Sequence, residues 1–276
     1  MSISAELTEI EELARRAGSA ALRHYGAVTA AYKAENSPVT AADHAANDCI
    51  LEGLRTVFPD DAILSEESHD GASRLIADRV WIVDPLDGTK EFLAQNGEFS
   101  IMIGLAVSHQ PVLGVVYLPA TDVLYSAEIG GGAWVQRGRL RERLRCAEVG
   151  SAPLRMVGSR SHPDVLLQRM QEALGITDVE PSGSVGIKCA LIAERKRDLY
   201  IHPVPYLKEW DTCAPDIVLR EAGGSVTDCT GELLRYNKPD PVQPHGILAC
   251  APGALEHVLN VIAPLYDQAH AQRKLA

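Results

Sequence analysis

Several features are missing from this 276-residue sequence, and each absence closes off a class of protein. Its longest apolar runs, Ile101–Val107 and Val112–Leu118, are far too short to span a bilayer. The N-terminal stretch MSISAELTEIEELARRAG carries acids where a signal peptide needs an apolar core, so no targeting segment is expected. There is no Cys-x-x-Cys pair. Cys49, Cys146, Cys189, Cys213, Cys229 and Cys250 are scattered among mostly apolar neighbours, which predicts reduced core thiols in a cytoplasmic protein. No two of the nine histidines lie within a helical turn of each other, which argues against a zinc site. Positive charge is scarce too, with 26 Lys and Arg against 37 Asp and Glu and a formal net charge of −11. That balance argues against general affinity for nucleic-acid polymers or anionic membranes.

What is present describes a soluble globular chain of one large or two small domains. Hydrophobic residues make up 46% and charged residues 23%, and the length suffices for a core without disulfides or structural metals. The acid surplus is uneven. Residues 1–150 hold 22 acids against 13 bases, whereas residues 151–276 hold 15 against 13. An acidic surface gives such an imbalance, and so do acids gathered around a cation.

Leu7, Ile10, Leu13, Ala14, Ala17 and Ala21 keep helical spacing, with Gly26 as a stop. A second helix is expected from the N-cap candidate Thr40 to Val57, with Asp43 at capping-box spacing. Short β-rich runs follow at 62–64, 80–83, 99–107, 111–117, 123–127 and 133–135, separated by turn signals that suggest an antiparallel meander. The second half alternates strand-like segments at 154–157, 199–202, 225–227 and 246–250 with expected helices at 163–174, 184–196, 211–222 and 252–265. That pattern argues for a mixed α/β layer, with a boundary near Cys146–Pro153. The five arginines of RGRLRERLR (137–145) read as a solvated strand edge.

The most informative stretch is Val80-Trp81-Ile82-Val83-Asp84-Pro85-Leu86-Asp87-Gly88-Thr89. An apolar strand delivers two carboxylates into a turn shaped by Pro85 and Gly88. Asp-Pro and Asp-Gly are ordinary turn dipeptides. If Thr89 opens the next element, however, the N–H groups after Gly88 form an anion-binding nest, and carboxylates beside a nest suit a meeting place of Mg²⁺ and phosphate. Ser65-Glu66-Glu67-Ser68 ends the preceding strand and alone reads as a polar loop. Asp211, in Lys208-Glu209-Trp210-Asp211-Thr212, sits before a helical pattern where Asp is a common N-cap.

Taken together and in order, PVTAAD with Asp43, SEES, VWIVDPLDGT and EWDTCAPDIVLREAGG resemble the magnesium-dependent, lithium-sensitive phosphatases of the inositol monophosphatase superfamily. Within it, DGTKEF (87–92), GSVGIK (183–188) and EWDTCAP (209–215) are similar to the 3'(2'),5'-bisphosphate nucleotidase branch. The resemblance implies an α/β (α+β) fold, a layered α-β-α-β-α sandwich of the sugar-phosphatase type. Residues 1–150 would form an α+β subdomain carrying most metal ligands, and residues 151–276 an α/β subdomain carrying Asp211 and substrate contacts. It further implies two or three Mg²⁺ ions held by Glu66, Asp84, Asp87 and Asp211, with the Leu86 carbonyl as another ligand. Asp43, Glu66 and Thr89 would activate the attacking water. Gly88, Thr89, Ser184, Lys188 and Asp211 would contact substrate, with Lys188 reserved for a second phosphate.

The expected reaction is hydrolysis of the 3'-phosphate of adenosine 3',5'-bisphosphate to AMP, with inositol monophosphatase or fructose-1,6-bisphosphatase activity on the same metal site as the alternative. A non-catalytic phosphate-ligand sensor is the reading outside enzymology. The expected partner is thus a small phosphorylated substrate, and a homodimer is compatible with the sequence. Haloacid-dehalogenase-type phosphatases place their two acids one residue apart, whereas two residues separate Asp84 and Asp87, so that mechanism fits poorly. The chain departs from the family pattern twice. Arg195 stands where a helix-ending glycine is usual, and Ile201-His202-Pro203 stands where many bacterial nucleotidases have an arginine.

Overall fold

The structure is a computed structural model and describes residues 2–27, 30–32, 38–150, 152–160 and 164–275. The expected helix start at residue 163, and residue 151 of the expected boundary, lie outside the described residues. The first half contains α1 (Ile3–Leu22), the short pair β1 (Ala31–Tyr32) and β2 (Pro38–Val39), and α2 (Ala41–Val57). Then come β3 (Ala62–Ser65), β4 (Arg79–Asp87), α3 (Thr89–Leu93), β5 (Ser100–Val107), β6 (Gln110–Leu118), β7 (Val123–Glu128), β8 (Gly132–Arg137) and β9 (Leu140–Leu144). The second half contains β10 (Arg155–Ser159), α4 (Val165–Ala173), β11 (Asp178–Ser182), α5 (Val185–Ala193) and β12 (Leu199–His202). It ends with α6 (Glu209–Glu221), β13 (Ser225–Thr227), β14 (Ile247–Cys250) and α7 (Leu255–Leu275).

Strands β3 to β9 lie in sequence order in a seven-stranded sheet, and the second sheet runs β11-β10-β12-β14-β13. The period-2 alternation of each strand sends successive side chains to opposite faces and so builds the layers. Trp81 and Val83 of β4 pack with Ile10, Ala14, Ala46 and Ile50 of α1 and α2. Val80 and Ile82 of the same strand pack with Cys189, Cys213, Ala214 and Ile217 of α5 and α6. Tyr200, Val226, Ile247 and Ala249 of the second sheet close the other side of that middle layer. The alternate residues Leu199, Ile201, Leu248 and Cys250 pack under α4 and α7 against Met170, Val258 and Ile262. The order is therefore helices, sheet, helices, sheet, helices, as the sequence led us to expect.

Helix α6 sits unusually close to the large sheet. A Cβ on Gly104 would lie 2.6 Å from Cys213 Sγ, and one on Gly114 would lie 2.5 Å from Ile217 Cγ2. These two glycines let the helix descend until its first turn meets the end of β4.

Several expectations need correction. The meander holds from β4 to β9, but β3 pairs with β4 in parallel, because a crossover containing a short 3₁₀ turn (Ala72–Ile76) separates them. Strands β1, β2, β9 and β11 were not expected; β1 and β2 form a separate two-stranded pair, β9 and β11 are sheet edges, and the arginine run forms β9 and its flanks. Helix α6 begins at Glu209 rather than 211, and α7 continues past 265, through Pro264, to Leu275. Helix α5 ends at Ala193, and Arg195 takes the left-handed φ of +64° that the missing glycine would have supplied. An L-residue there costs about 1 kcal/mol, and Arg195 Nε offsets part of it by donating to the Arg145 carbonyl at 2.6 Å. All six cysteines are free thiols, four of them buried. No helix among the described residues is long and apolar enough to cross a membrane.

Candidate active site

Strand β4 is hydrogen-bonded along both edges until Asp84, where its register with β5 shifts and the chain turns through Pro85. Asp84 is only 1% exposed and accepts the Leu86 N–H at 3.0 Å. The turn brings Asp87 to the N-terminus of α5, where its Oδ2 accepts the Val185 N–H at 2.6 Å and the Gly186 N–H at 3.4 Å. Asp211 arrives from the other side, in the first turn of α6, with its Oδ2 accepting the Lys208 N–H at 2.6 Å. It is thus a residue inside the helix and not the N-cap. Ligand oxygens of Asp84, Asp87 and Asp211 all lie within 4.8 Å of one another. Glu66 lines the same pocket, its N–H fastened to the Val83 carbonyl at 3.1 Å.

Burial, followed by the charges of Glu66, Asp87 and Asp211, pushes the Asp84 carboxyl well above the ordinary range. Burial and the charges of Asp87 and Glu66 do the same to Asp211. Burial also raises Asp87, opposed by the Lys188 ammonium and by hydrogen bonds from Ser184 and the start of α5. Acids from three separate elements that repel one another across a few ångströms need a cation to balance them. The donors are all oxygen, the set that a hard divalent ion prefers. The residues present therefore fit the metal that the resemblance implies.

The residues expected to activate water are partly brought together nearby. Thr89 Oγ1 donates to Asp43 Oδ1 at 3.0 Å and lies 3.4 Å from the Leu86 carbonyl. Asp43 Oδ2 accepts from the Thr40 N–H at 2.8 Å and from Thr40 Oγ1 at 2.7 Å, the capping box expected of α2. Gly88 adopts φ +102° and Thr89 opens α3, which is the arrangement the nest requires. A Cβ at Gly88 would meet the Glu98 carbonyl at 2.9 Å, so only glycine fits this turn without displacement.

Ser184 caps α5, accepting the Ile187 N–H at 3.2 Å, and its hydroxyl pairs with Ser100 at 2.7 Å. Lys188 is not a surface lysine. It is 3% exposed, its ammonium donates to the Gly183 carbonyl and sits 5.3 Å from the centre of the Tyr200 ring. Burial lowers its pKa, opposed by Asp87 and Glu91. Its charge therefore sits beside the acid cluster rather than far from it. Glu98 holds the Gly-Ser turn in place, accepting the Gly183 N–H at 2.8 Å while pairing with Arg160.

The pocket is also lined by residues to which the sequence assigned no contact with metal or substrate, among them Ser159, Tyr200, His202, Tyr206, Lys90 and Glu91. LYIH reads as a buried strand, and nothing in its pattern distinguishes wall from core. The His202 and Tyr206 rings stand 6.3 Å apart, with Tyr206 52% exposed at the pocket's rim.

The chain is similar to known proteins in both sequence and fold. The model of the inositol monophosphatase family matches residues 4–266. The 3'(2'),5'-bisphosphate nucleotidase CysQ of Escherichia coli (strain K12) is 42% identical over 234 residues, covering 83% of this chain and 93% of its own. A 3'-phosphoadenosine 5'-phosphate phosphatase from Mycobacterium bovis is 34% identical over 235 residues, covering 81% of each chain. Among solved structures, CysQ from Bacteroides thetaiotaomicron superposes with a TM-score of 0.77 at 34% identity, covering 89% of this chain and 97% of that one. A Thermotoga maritima IMPase superposes at 0.80 with 27% identity, covering 96% and 99%.

Proposed function

The chain belongs to the inositol monophosphatase family, and from that membership we propose a 3'(2'),5'-bisphosphate nucleotidase that removes the 3'-phosphate of adenosine 3',5'-bisphosphate to give AMP and phosphate. The family is metal-dependent; we assign Mg²⁺, two or three ions, to Glu66, Asp84, Asp87, Asp211 and the Leu86 carbonyl. When bound, Mg²⁺ would neutralise phosphate charge and make a nearby water easier to deprotonate. The observation that carries this reading is the gathering of Asp84, Asp87 and Asp211 within 4.8 Å beside the left-handed Gly88 turn.

Phosphate-ester hydrolysis asks a protein mainly for in-line positioning and charge neutralisation. Thr89 donates its hydroxyl hydrogen to Asp43, which leaves the Thr89 oxygen free to accept a hydrogen bond from the attacking water. Asp43 is the proton's destination, and Glu66 holds the water from its other side. The N–H groups of Gly88 and Thr89, at the open end of α3, face the phosphate oxygens. Ser184 and Lys188, at the start of α5 beside Asp87, supply polar contacts and positive charge. We further take residues 1–150 and 151–276 as two subdomains that meet at this pocket.

A phosphate-release panel with Mg²⁺ tests the proposal, comparing adenosine 3',5'-bisphosphate, inositol 1-phosphate and fructose 1,6-bisphosphate. The bisphosphonucleotide should have the highest kcat/KM. Preference for inositol 1-phosphate would transfer the chain to the inositol phosphatases, and absence of turnover on all three would favour a sensor.

A further inference from the structure

Two acids of the pocket come from segments that share no strand, Glu66 from the turn after β3 and Asp211 from the first turn of α6. A hydrogen-bonded path centred on a buried arginine joins these segments. Arg74, 3% exposed, grips Asp70 with two parallel bonds, Nε to Oδ1 at 2.6 Å and NH2 to Oδ2 at 2.7 Å. Its NH1 crosses to Asn237 Oδ1 at 2.8 Å and to the Lys238 carbonyl at 2.9 Å. Asn237 answers by donating Nδ2 to the Arg74 carbonyl at 2.9 Å and the Ala77 carbonyl at 3.3 Å. The backbone N–H groups of Asn237 and Lys238 then donate to the two Glu209 carboxylate oxygens at 2.5 and 2.8 Å. Glu209, 0% exposed, opens α6 two residues before Asp211.

The loop carrying Asn237 is tied to that helix at further points. The Glu209 N–H donates to the Pro241 carbonyl at 2.9 Å, and Gln243 Nε2 donates to Thr212 Oγ1 at 3.1 Å. At the other end, Asn47 accepts from Ser65 Oγ at 2.7 Å and donates to Ser68 Oγ at 3.3 Å, pinning the turn that holds Glu66. Burying a guanidinium and a carboxylate stabilises a fold no better than well-packed apolar side chains do, but it fixes direction, because every donor needs its acceptor in place. None of Arg74, Asn237 or Glu209 lines the pocket.

We propose that Arg74, Asn237 and Glu209 are positioning residues that fix Glu66 and Asp211 relative to each other, and thereby set the metal affinity of the site. The inference rests on the metal-site reading given above. Loosening the path lets the α6 terminus shift, which separates acids whose oxygens must converge on one ion, while the Thr89–Asp43 pair stays intact.

The test uses Asn237→Gly and Arg74→Met. Asn237 has φ +58°, which glycine adopts without strain, so that variant deletes only the side chain and changes no charge. Mg²⁺ affinity is measured by calorimetry, kcat at saturating Mg²⁺ by phosphate release, and folding by thermal melting in EDTA. Each variant should bind Mg²⁺ about tenfold more weakly or worse, the usual penalty for losing support behind metal ligands, with kcat at saturation close to wild type. Unchanged Mg²⁺ affinity in a folded Asn237→Gly protein overturns the proposal and leaves the path a purely structural one. Should Arg74→Met fail to fold, Asn237→Gly decides alone. Asp211→Asn is the control: if it too binds Mg²⁺ as wild type does, the metal-site reading is the part that fails.

Discussion

The N-termini of α2 and α6 use the same local device for opposite ends. Each places an aspartate three residues after the N-cap, and each aspartate accepts the N-cap N–H through Oδ2, at 2.8 Å for Asp43 and 2.6 Å for Asp211. In α2 the exchange is reciprocal, since Thr40 Oγ1 also accepts the Ala42 N–H at 3.0 Å, and Thr89 occupies the other Asp43 oxygen. Both oxygens of Asp43 are thus satisfied by neutral donors. In α6 the N-cap is Lys208, whose ammonium has no acceptor to offer a backbone N–H and lies 5.0 Å from the centre of the Trp210 ring. An oxygen of Asp211 instead lies within 4.8 Å of oxygens of Asp84 and Asp87. One carboxylate is fully hydrogen-bonded and the other is held under repulsion. The helix terminus is the same; the element docked against it decides the role.

Removing the repelled acid should give the largest effect. Asp211→Asn, like Asp84→Asn, should lower turnover by about 10⁴-fold, because several kcal/mol of charge stabilisation in the transition state go with the metal. Without Mg²⁺ each variant should melt no lower than wild type, since an ionised acid has left a cluster of like charges. Added Mg²⁺ should raise the melting temperature of wild type and barely that of the variants. The sign of the pH dependence follows. Asp84 and Asp211 hold protons above the ordinary carboxylate range in the folded chain, so the metal-free fold loses stability as pH rises past about 4. Calorimetric scans with and without Mg²⁺ check these statements, and near-normal turnover of either variant would remove that residue from the site.

On the satisfied side, Thr89→Ala should lower kcat by about 10²-fold while KM and Mg²⁺ affinity stay near wild type. The hydroxyl touches Asp43 and the Leu86 carbonyl, and its assigned task arises only when water attacks. A rise in KM at constant kcat would make Thr89 a binding residue and dissolve the contrast with Asp211.

What the sequence made legible follows the same division. The capping box of α2, the buried strand ending in Asp84 and the left-handed Gly88 each leave a local signature, a residue type at a fixed spacing. The start of α6 does not, because Lys208 is no N-cap signal and Asp211 looks like one. Two of the unexpected strands, β9 and β11, fail for a related reason. LRERL and DVEPS are sheet edges, exposed along most of their length, so neither carries the apolar alternation by which a half-buried strand is recognised. Tyr200, His202 and Tyr206 become pocket residues only through the stacking of β12 over the turn at Asp87, which no local pattern encodes.

A second aspartate on α6, this one buried, sharpens the comparison, because it is neither at the helix start nor part of the cluster. Asp216 lies five residues after Asp211 and is 1% exposed, accepting the Tyr236 hydroxyl at 2.9 Å, with Arg220 3.9 Å from its other oxygen. Burial pushes its carboxyl up to about 7, against the pull of Arg220 and Tyr236. Its unfolded value is about 3.9, so between these limits the folded chain binds more protons than the unfolded one, and stability falls as pH rises from about 4 through 7. Asp216→Asn stays neutral throughout, and its amide oxygen can still accept from Tyr236. The variant should therefore be the more stable protein, with an advantage that grows by about 2 kcal/mol between pH 5.5 and 8. The acid cluster contributes equally to both proteins and cancels from that difference. Urea unfolding in EDTA at the two pH values measures it, and an advantage that does not change with pH would mean that Asp216 ionises in the folded chain as readily as in water.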